Sequence, residues 1–329
     1  DEESGITAAL IKDRAMTVLD DIAESSSALV LSGAFDNVYC KPYDDGKTYL
    51  APLFFEQEGL IYNKKLLSEN GWSLPTTWDE FVALAEKCDE KNIAVFTYAG
   101  REPEEFVNMF AAAAAPSAGT EQMNKLLSCD KEAWTDNEQA KAFAEKLDAI
   151  KKLVVSGSST KTHDDVTESF KKGEALFISG STADLAKLLE DENADYGFAA
   201  YPSLSGERVN VISVSEMYIP IEAKNVDLGK KFMSFLYSDA AAAVAAETVK
   251  KLPPVASAAS LAAQYEFGAA EKEAYSALTS SVYAPKFMVK AADNESLSDE
   301  FCALAVSVFK GDVKPEEFAS KMVEYIEKY

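Results

Sequence analysis

The amino-acid sequence predicts a helix-rich α/β protein with two domains. Short apolar runs with strand character are separated by longer segments of helical periodicity. The 329 residues exceed what one hydrophobic core usually serves. The segment Tyr49–Phe81 strings a strand, a helix, a turn and a capped helix in that order.

Taken along the chain, Ala28–Phe35 reads equally as a short strand or as a serine-flanked helix end. Leu50–Ile61 is apolar and aromatic, broken by Pro52 and by Glu56-Gln57-Glu58-Gly59, as suits a strand carrying polar groups out of a core. Asn63 caps a helix starting at Lys64, and Gly71 ends it. Leu74-Pro75 prevents its continuation, and Thr76 or Thr77 caps the next helix, with Asp79 and Glu80 in the first turn. That helix, over 76–90, buries Phe81, Val82, Leu84 and Ala85, and Asn92–Tyr98 follows as a buried strand. Phe106–Ala115 is an alanine-rich helix that Pro116 is expected to stop. Over 137–155, Ala140, Phe143, Ala144, Leu147, Ile150, Leu153 and Val154 form one stripe before the loop at Gly157-Ser158-Ser159. Ala240–Ala246 is helical.

Composition narrows the function. A net charge of −23 repels nucleic acid. No apolar run is long enough to cross a bilayer, and no signal peptide opens the chain, as expected of a mature N-terminus. Cys40, Cys88, Cys129 and Cys302 are far apart without a CxxC pattern; they would permit two disulfides in an exported protein, but Cys88 and Cys302 sit among helical apolar positions, and free thiols are the preferred reading. His163 is the only histidine, so a metal site built on several imidazoles is excluded, and its polar surroundings suit a surface loop or a first helical turn. No GxSxG, P-loop or dinucleotide fingerprint occurs, and neither cofactor nor metal is assigned. With 55 acidic residues, carboxylate pairs are too common to single out a hydrolase, which ranks third among the functions considered.

Several segments in order carry a family resemblance. Gly59-Leu60-Ile61-Tyr62-Asn63-Lys64 is followed by Pro75-Thr76-Thr77-Trp78-Asp79-Glu80-Phe81. Phe170–Gly180 supplies a helix end, Gly173, an apolar strand and a glycine turn. Tyr218-Ile219-Pro220-Ile221 leads to a helix around Lys231–Ser238, then to Pro253-Pro254-Val255. Phe309–Phe318 places Gly311 as a helix stop and Pro315 near a new start. Together they resemble the family 1 extracellular solute-binding proteins of ABC importers, the sugar-type group that includes the maltose binders. The resemblance runs from about residue 48 to the end.

The resemblance implies a type II periplasmic-binding-protein-like fold whose two lobes enclose a cleft. It places residues 1–53 and 213–285 in the first lobe and 54–212 and 286–329 in the second, with hinge strands near 53–58 and 212–216. Hinge closure would bury the ligand. Glu56 falls where the family has a ligand-contacting glutamate. Phe54 and Phe55 flank it, and strand alternation lets at most one of them see the cleft. Ser215 and Glu216, on the second crossing strand, share the wall.

Gly100–Phe106 matches a loop that supplies a stacking aromatic in the family, but Glu104 stands at that position. Ser181-Thr182 follows Gly180 where many members have a tryptophan. Both stacking platforms are replaced, which disfavours a maltodextrin. Tyr98, Tyr283 or Phe287 would be the substitutes, and Arg101 reads either as a partner for an anionic group of the ligand or, preferentially, as a solvated loop arginine paired with neighbouring acids. Trp78 is assigned to structure under its helix start, and Trp72 and Trp134 match no ligand-binding position of the family.

The family's initial βαβαβ stretch is missing before Gly5–Leu19, so the first lobe is expected to be incomplete: a fragment, a natural shortening, or a lobe completed by another chain. The implied function is a monomeric extracellular or cell-surface receptor, lipid-anchored in the precursor, that delivers a carbohydrate or related small polar solute to ABC permease subunits. A shortened relative serving as an interaction or structural surface protein without transport is the alternative.

Overall fold

The computed structural model describes residues 9–31, 34–35, 40–43, 45–206, 210–269, 271–272, 275 and 295–328. In chain order the elements are α1 (Asp20–Ser26), β1 (Ala51–Asn63), α2 (Lys64–Glu69), α3 (Trp78–Asp89), β2 (Ala94–Thr97), α4 (Glu105–Leu127), α5 (Lys131–Trp134), α6 (Glu138–Ile150), a 3-10 turn (Ser158–Thr160) and α7 (His163–Lys171). After these come β3 (Ala175–Ser181), α8 (Thr182–Leu188), β4 (Tyr196–Ala199), β5 (Val211–Met217), α9 (Val226–Leu236), α10 (Asp239–Thr248), α11 (Ala258–Gln264), α12 (Glu295–Lys310), a second 3-10 turn (Pro315–Glu317) and α13 (Phe318–Lys328).

Local chemistry sets these boundaries. Asn63 caps α2 by accepting the Leu66 N–H at 3.0 Å. Thr77, rather than Thr76, caps α3 in a reciprocal box with Glu80. Gly71, Gly173 and Gly311 each take positive φ at a helix exit. Two expectations are corrected. Pro116 does not end its helix, because its fixed φ is itself helical. The interruption falls at Gly119, whose φ of 75° and ψ of 165° suit a residue without a Cβ. Gly180 is not in a turn but inside β3 opposite Gly59, and Ser181 starts the next helix instead. At 28–31 the chain forms a turn and one bridge, Val30 to Val255, rather than a strand or a continued helix.

One long strand organises the molecule. β1 pairs antiparallel with β3 through Glu58–Tyr62, with β4 through Leu60–Asn63, and with β5 through Ala51–Glu58; β2 joins β3 in parallel. The far half of β1 is buried on both faces. Leu60 faces a core with Phe81, Phe110, Phe143 and Phe301 from α3, α4, α6 and α12, and Ile61 faces a smaller one with Phe170 and Leu185 from α7 and α8. The near half of β1 belongs to a different core. Ala51 and Phe55 pack with Ile212, Tyr237, Ala246, Leu252 and Leu261, drawn from β5, α9–α11 and their connections. β1 therefore threads from one packed body to another, and β5 does the same through Val211 and Ile212.

All four cysteines are free thiols, and Trp78 and Trp134 are fully buried. The Trp134 indole N–H donates to the Leu126 carbonyl at 3.0 Å. α9 leaves Leu228, Phe232 and Phe235 more than half exposed, beside Ile221. Among the described residues no helix is long and apolar enough to cross a membrane.

Candidate functional site

Alternation along β1 decides which side chains leave the cores. Phe55 is buried edge-on against Tyr275, with ring centroids 5.0 Å apart, and Gln57 beneath it donates to the Asn210 Oδ1 at 2.6 Å. Phe54, Glu56 and Glu58 lie on the other face and are only half-buried. Of the two phenylalanines, Phe54 shares the face of Glu56.

Glu56 projects into a cleft of about 380 Å³. One wall is α8, which contributes Thr182, Lys187 and the following Glu190. The other comes from Lys250, Lys251, Glu271 and Tyr275. Lys251 Nζ lies 2.5 Å from Glu56 Oε1. The two other charged groups of that wall are held locally. Lys250 donates to the Tyr265 carbonyl at 2.8 Å, and Glu271 accepts the Gly268 N–H at 2.8 Å. Burial raises the Glu271 carboxyl, against that hydrogen bond. Burial also pushes the Tyr275 phenol well up. Glu56, Glu190 and Glu271 are matched by Lys187, Lys250 and Lys251. The cleft is thus rich in donors and acceptors, with balanced formal charge, and suits a neutral hydroxylated guest better than an ion.

The other sequence-derived candidates lie elsewhere. Ser181 is next to the cleft, but its hydroxyl is used in capping α8: Oγ accepts the Asp184 N–H at 3.1 Å and donates to Oδ2 at 2.9 Å. Thr182, one residue on, lines the cleft. Tyr98 is only 3% exposed and stacks on Phe309 with centroids 4.7 Å apart, so it belongs to the core, where burial pushes its phenol up to about 12. Arg101 and Glu104 are exposed on a loop that packs on the start of α7, and neither lines the cleft. Ser215 and Glu216 pair with Phe54 and Pro52 on β5 and do not line it either. Phe287 and Tyr283 lie outside the described residues. Sequence reasoning missed Lys187, Glu190, Lys251, Glu271 and Tyr275. The one available signal was that Lys250-Lys251 immediately precedes the Pro253-Pro254-Val255 turn.

Residues 6–243 match the model of the bacterial extracellular solute-binding protein family. The chain belongs to that family. Among relatives of this solute-binding protein, the multiple sugar-binding protein of Streptococcus mutans is 26% identical over 214 residues, which are 61% of this chain and 50% of the relative. The diacetylchitobiose binding protein NgcE of Streptomyces coelicolor is 25% identical over 214 residues, 60% of this chain and 44% of the relative. The solute-binding protein thus spans about half the length of the curated relatives it matches. Among solved structures, the bacterial solute receptor AcbH superimposes with a TM-score of 0.74 at 15% identity, covering 97% of this chain and 79% of that one. A family 1 extracellular solute-binding protein from Bifidobacterium longum subsp. infantis gives 0.71 at 19% identity, covering 95% and 84%. These neighbours establish for this solute-binding protein the two-lobe α/β fold. The family consists of binding proteins rather than enzymes, which removes the hydrolase reading of its carboxylates.

Proposed function

We propose that the protein is the extracellular receptor of an ABC importer and holds a carbohydrate or related small polar solute between its lobes. The observation that carries this is Glu56. It leaves the strand that connects the two cores, enters a cleft of about 380 Å³ and is met there by Lys251. The family supports the solute-binding role, and its relatives include a multiple sugar-binding protein and a diacetylchitobiose binding protein. Lobes formed by residues 1–53 with 213–285 and by 54–212 with 286–329 are part of the proposal. β1 and β5 act in it as hinge strands near 53–58 and 212–216. Closure would shut water out of the cleft and present the closed form to permease subunits. Of the ligand groups read from the sequence, Glu56 and Thr182 are retained, with Lys251, Lys187 and Glu190 added from the cleft. A lipid anchor on the precursor and a monomeric state complete the reading.

A thermal-shift screen against monosaccharides, chito-oligosaccharides, malto-oligosaccharides and amino compounds tests it, with calorimetry on any hit. The expected result is a rise in Tm with one sugar class, no turnover, and loss of the rise in Glu56→Ala. No shift across the panel, with the protein folded, would favour the second reading, an interaction protein without transport. The exposed stripe of Leu228, Phe232 and Phe235 on α9 is the observation on that side.

A further inference from the structure

The loop before α4 and the segment leading into α7 are fastened together. Gly100 and Arg101 donate their backbone N–H groups to the carbonyls of Ser158 and Lys161, each at 3.0 Å, and the His163 N–H donates to Glu102 at 2.8 Å. Gly100 allows this approach, because a Cβ there would lie 2.4 Å from the Ser159 Cα. The clamp gathers Glu104, Glu105 and His163. One carboxylate oxygen of each glutamate and one ring nitrogen of His163 all lie within 4.8 Å of one another. Glu104 and His163 are solvent-facing, with Oε2 and Nε2 3.3 Å apart. Glu105 is different. It is only 7% exposed, its Oε1 accepts the Ala99 N–H at 3.0 Å, and its Oε2 is buried without a partner among the described residues. A buried carboxylate whose second oxygen has no hydrogen-bond partner, beside an imidazole and another carboxylate, offers a cation a ligand atom that need not first give up a protein hydrogen bond.

We propose that Glu104, Glu105 and His163 form a binding site for a divalent transition metal of the zinc class, separate from the cleft. Two carboxylates offset the charge of the ion, and one imidazole supplies the nitrogen ligand that favours zinc over magnesium or calcium, which prefer six or more oxygens. Donors about 2 Å from a tetrahedral ion stand about 3.3 Å apart, so atoms that lie within 4.8 Å of one another need only draw in around it. The two exposed side chains, Glu104 and His163, are the ones free to move, while Glu105 and the clamped backbone fix the position. The ion would tie the loop before α4 to the start of α7, leaving a coordination position open to water.

The test is titration of the metal-free protein with zinc chloride, followed by calorimetry and by NMR of the imidazole. Because the chain has one histidine, its ring signals report the site directly. One zinc per chain is expected, with micromolar affinity, displaced ring signals and a chelator-reversible rise in Tm. Glu105→Gln and His163→Ala should each weaken binding at least tenfold. In chelator both variants are expected to unfold in one cooperative transition, as the parent does, which separates loss of binding from loss of folding. Cys129→Ser and magnesium chloride serve as controls, the first retaining zinc binding and the second giving no shift. Zinc that leaves the ring signals unmoved, or that binds Glu105→Gln as well as the parent, would overturn the assignment, as would loss of binding in Cys129→Ser.

Discussion

Glu56 and Lys251 meet at the cleft in an ion pair that ties the strand between the cores to the segment after α10, with Oε1 and Nζ 2.5 Å apart. Lys251 is 42% exposed and Glu56 25%. An ion pair this open to water contributes little to folding, about 1 kcal/mol or less, because water screens it and two long side chains must be held still. In the proposed site it would hold the Glu56 carboxylate in one orientation. Lys251→Met keeps the aliphatic stem and removes the charge. We expect urea denaturation to show a loss below about 1 kcal/mol, while affinity for the sugar that emerges from screening falls at least tenfold. A loss of several kcal/mol would mean that the pair is a structural latch.

Glu105 gives a pH dependence whose sign can be worked out. Burial raises its carboxyl to about 7 in the folded protein, against 4.5 for the free group, and the Ala99 hydrogen bond opposes this only in part. A raised folded value means that its stabilising contribution is complete below pH 4.5 and is lost as the pH climbs through 7. Glu105→Gln keeps a neutral side chain of the same shape and an oxygen for the Ala99 N–H. In chelator, the variant should be more stable than the parent by less than about 1 kcal/mol at pH 5 and by about 3 kcal/mol at pH 8. Parallel stability curves across that range would show that the carboxylate is already accommodated.

Features written in neighbouring residues were legible in the sequence. The Asn63 and Thr77 caps, the glycine exits at 71, 173 and 311, and the stripe from Ala140 to Ile150 each depend on residues within a few positions of one another. Long-range placement was not legible. Nothing adjacent to Tyr98 shows that Phe309 will stack on it, and nothing near Glu56 shows that Lys251 will face it. Nothing before Ser181 shows that its hydroxyl will be engaged in capping the helix that follows. Pro116 misled because a helix tolerates its φ, and the chain broke three residues later, where glycine permits φ of 75°.

Gly100→Ala tests the clamp beneath Glu104, Glu105 and His163. The new Cβ would meet the Cα, C and O of Ser159 at 2.4, 2.5 and 2.6 Å, and these are backbone atoms that cannot rotate aside. The two segments must separate, at a cost on the order of 2 kcal/mol. Hydrogen exchange should quicken at the amides of Gly100's neighbour Arg101 and of His163, which cross between the segments, and stay unchanged in α9–α11. Uniform acceleration throughout the chain would instead indicate global destabilisation.

Tyr237 fixes the beginning of β1 to the core around α9–α11. Its hydroxyl donates to the Pro52 carbonyl at 2.6 Å, at the point where the β1–β5 register slips between Pro52 and Phe54. A bulge leaves local backbone groups outside the ladder, and Pro52 has no N–H to contribute. Tyr237 is fully buried, so Tyr237→Phe keeps the packing against Phe35 and removes only the donor to a carbonyl that water does not reach. The cost should be about 1–2 kcal/mol in denaturant unfolding. If β1 is the hinge, releasing its start should also widen the distribution of lobe separations in solution scattering without ligand, and sugar should narrow it again. A scattering profile identical to the parent's, together with the stability loss, would confine Tyr237 to holding the strand and remove it from the hinge.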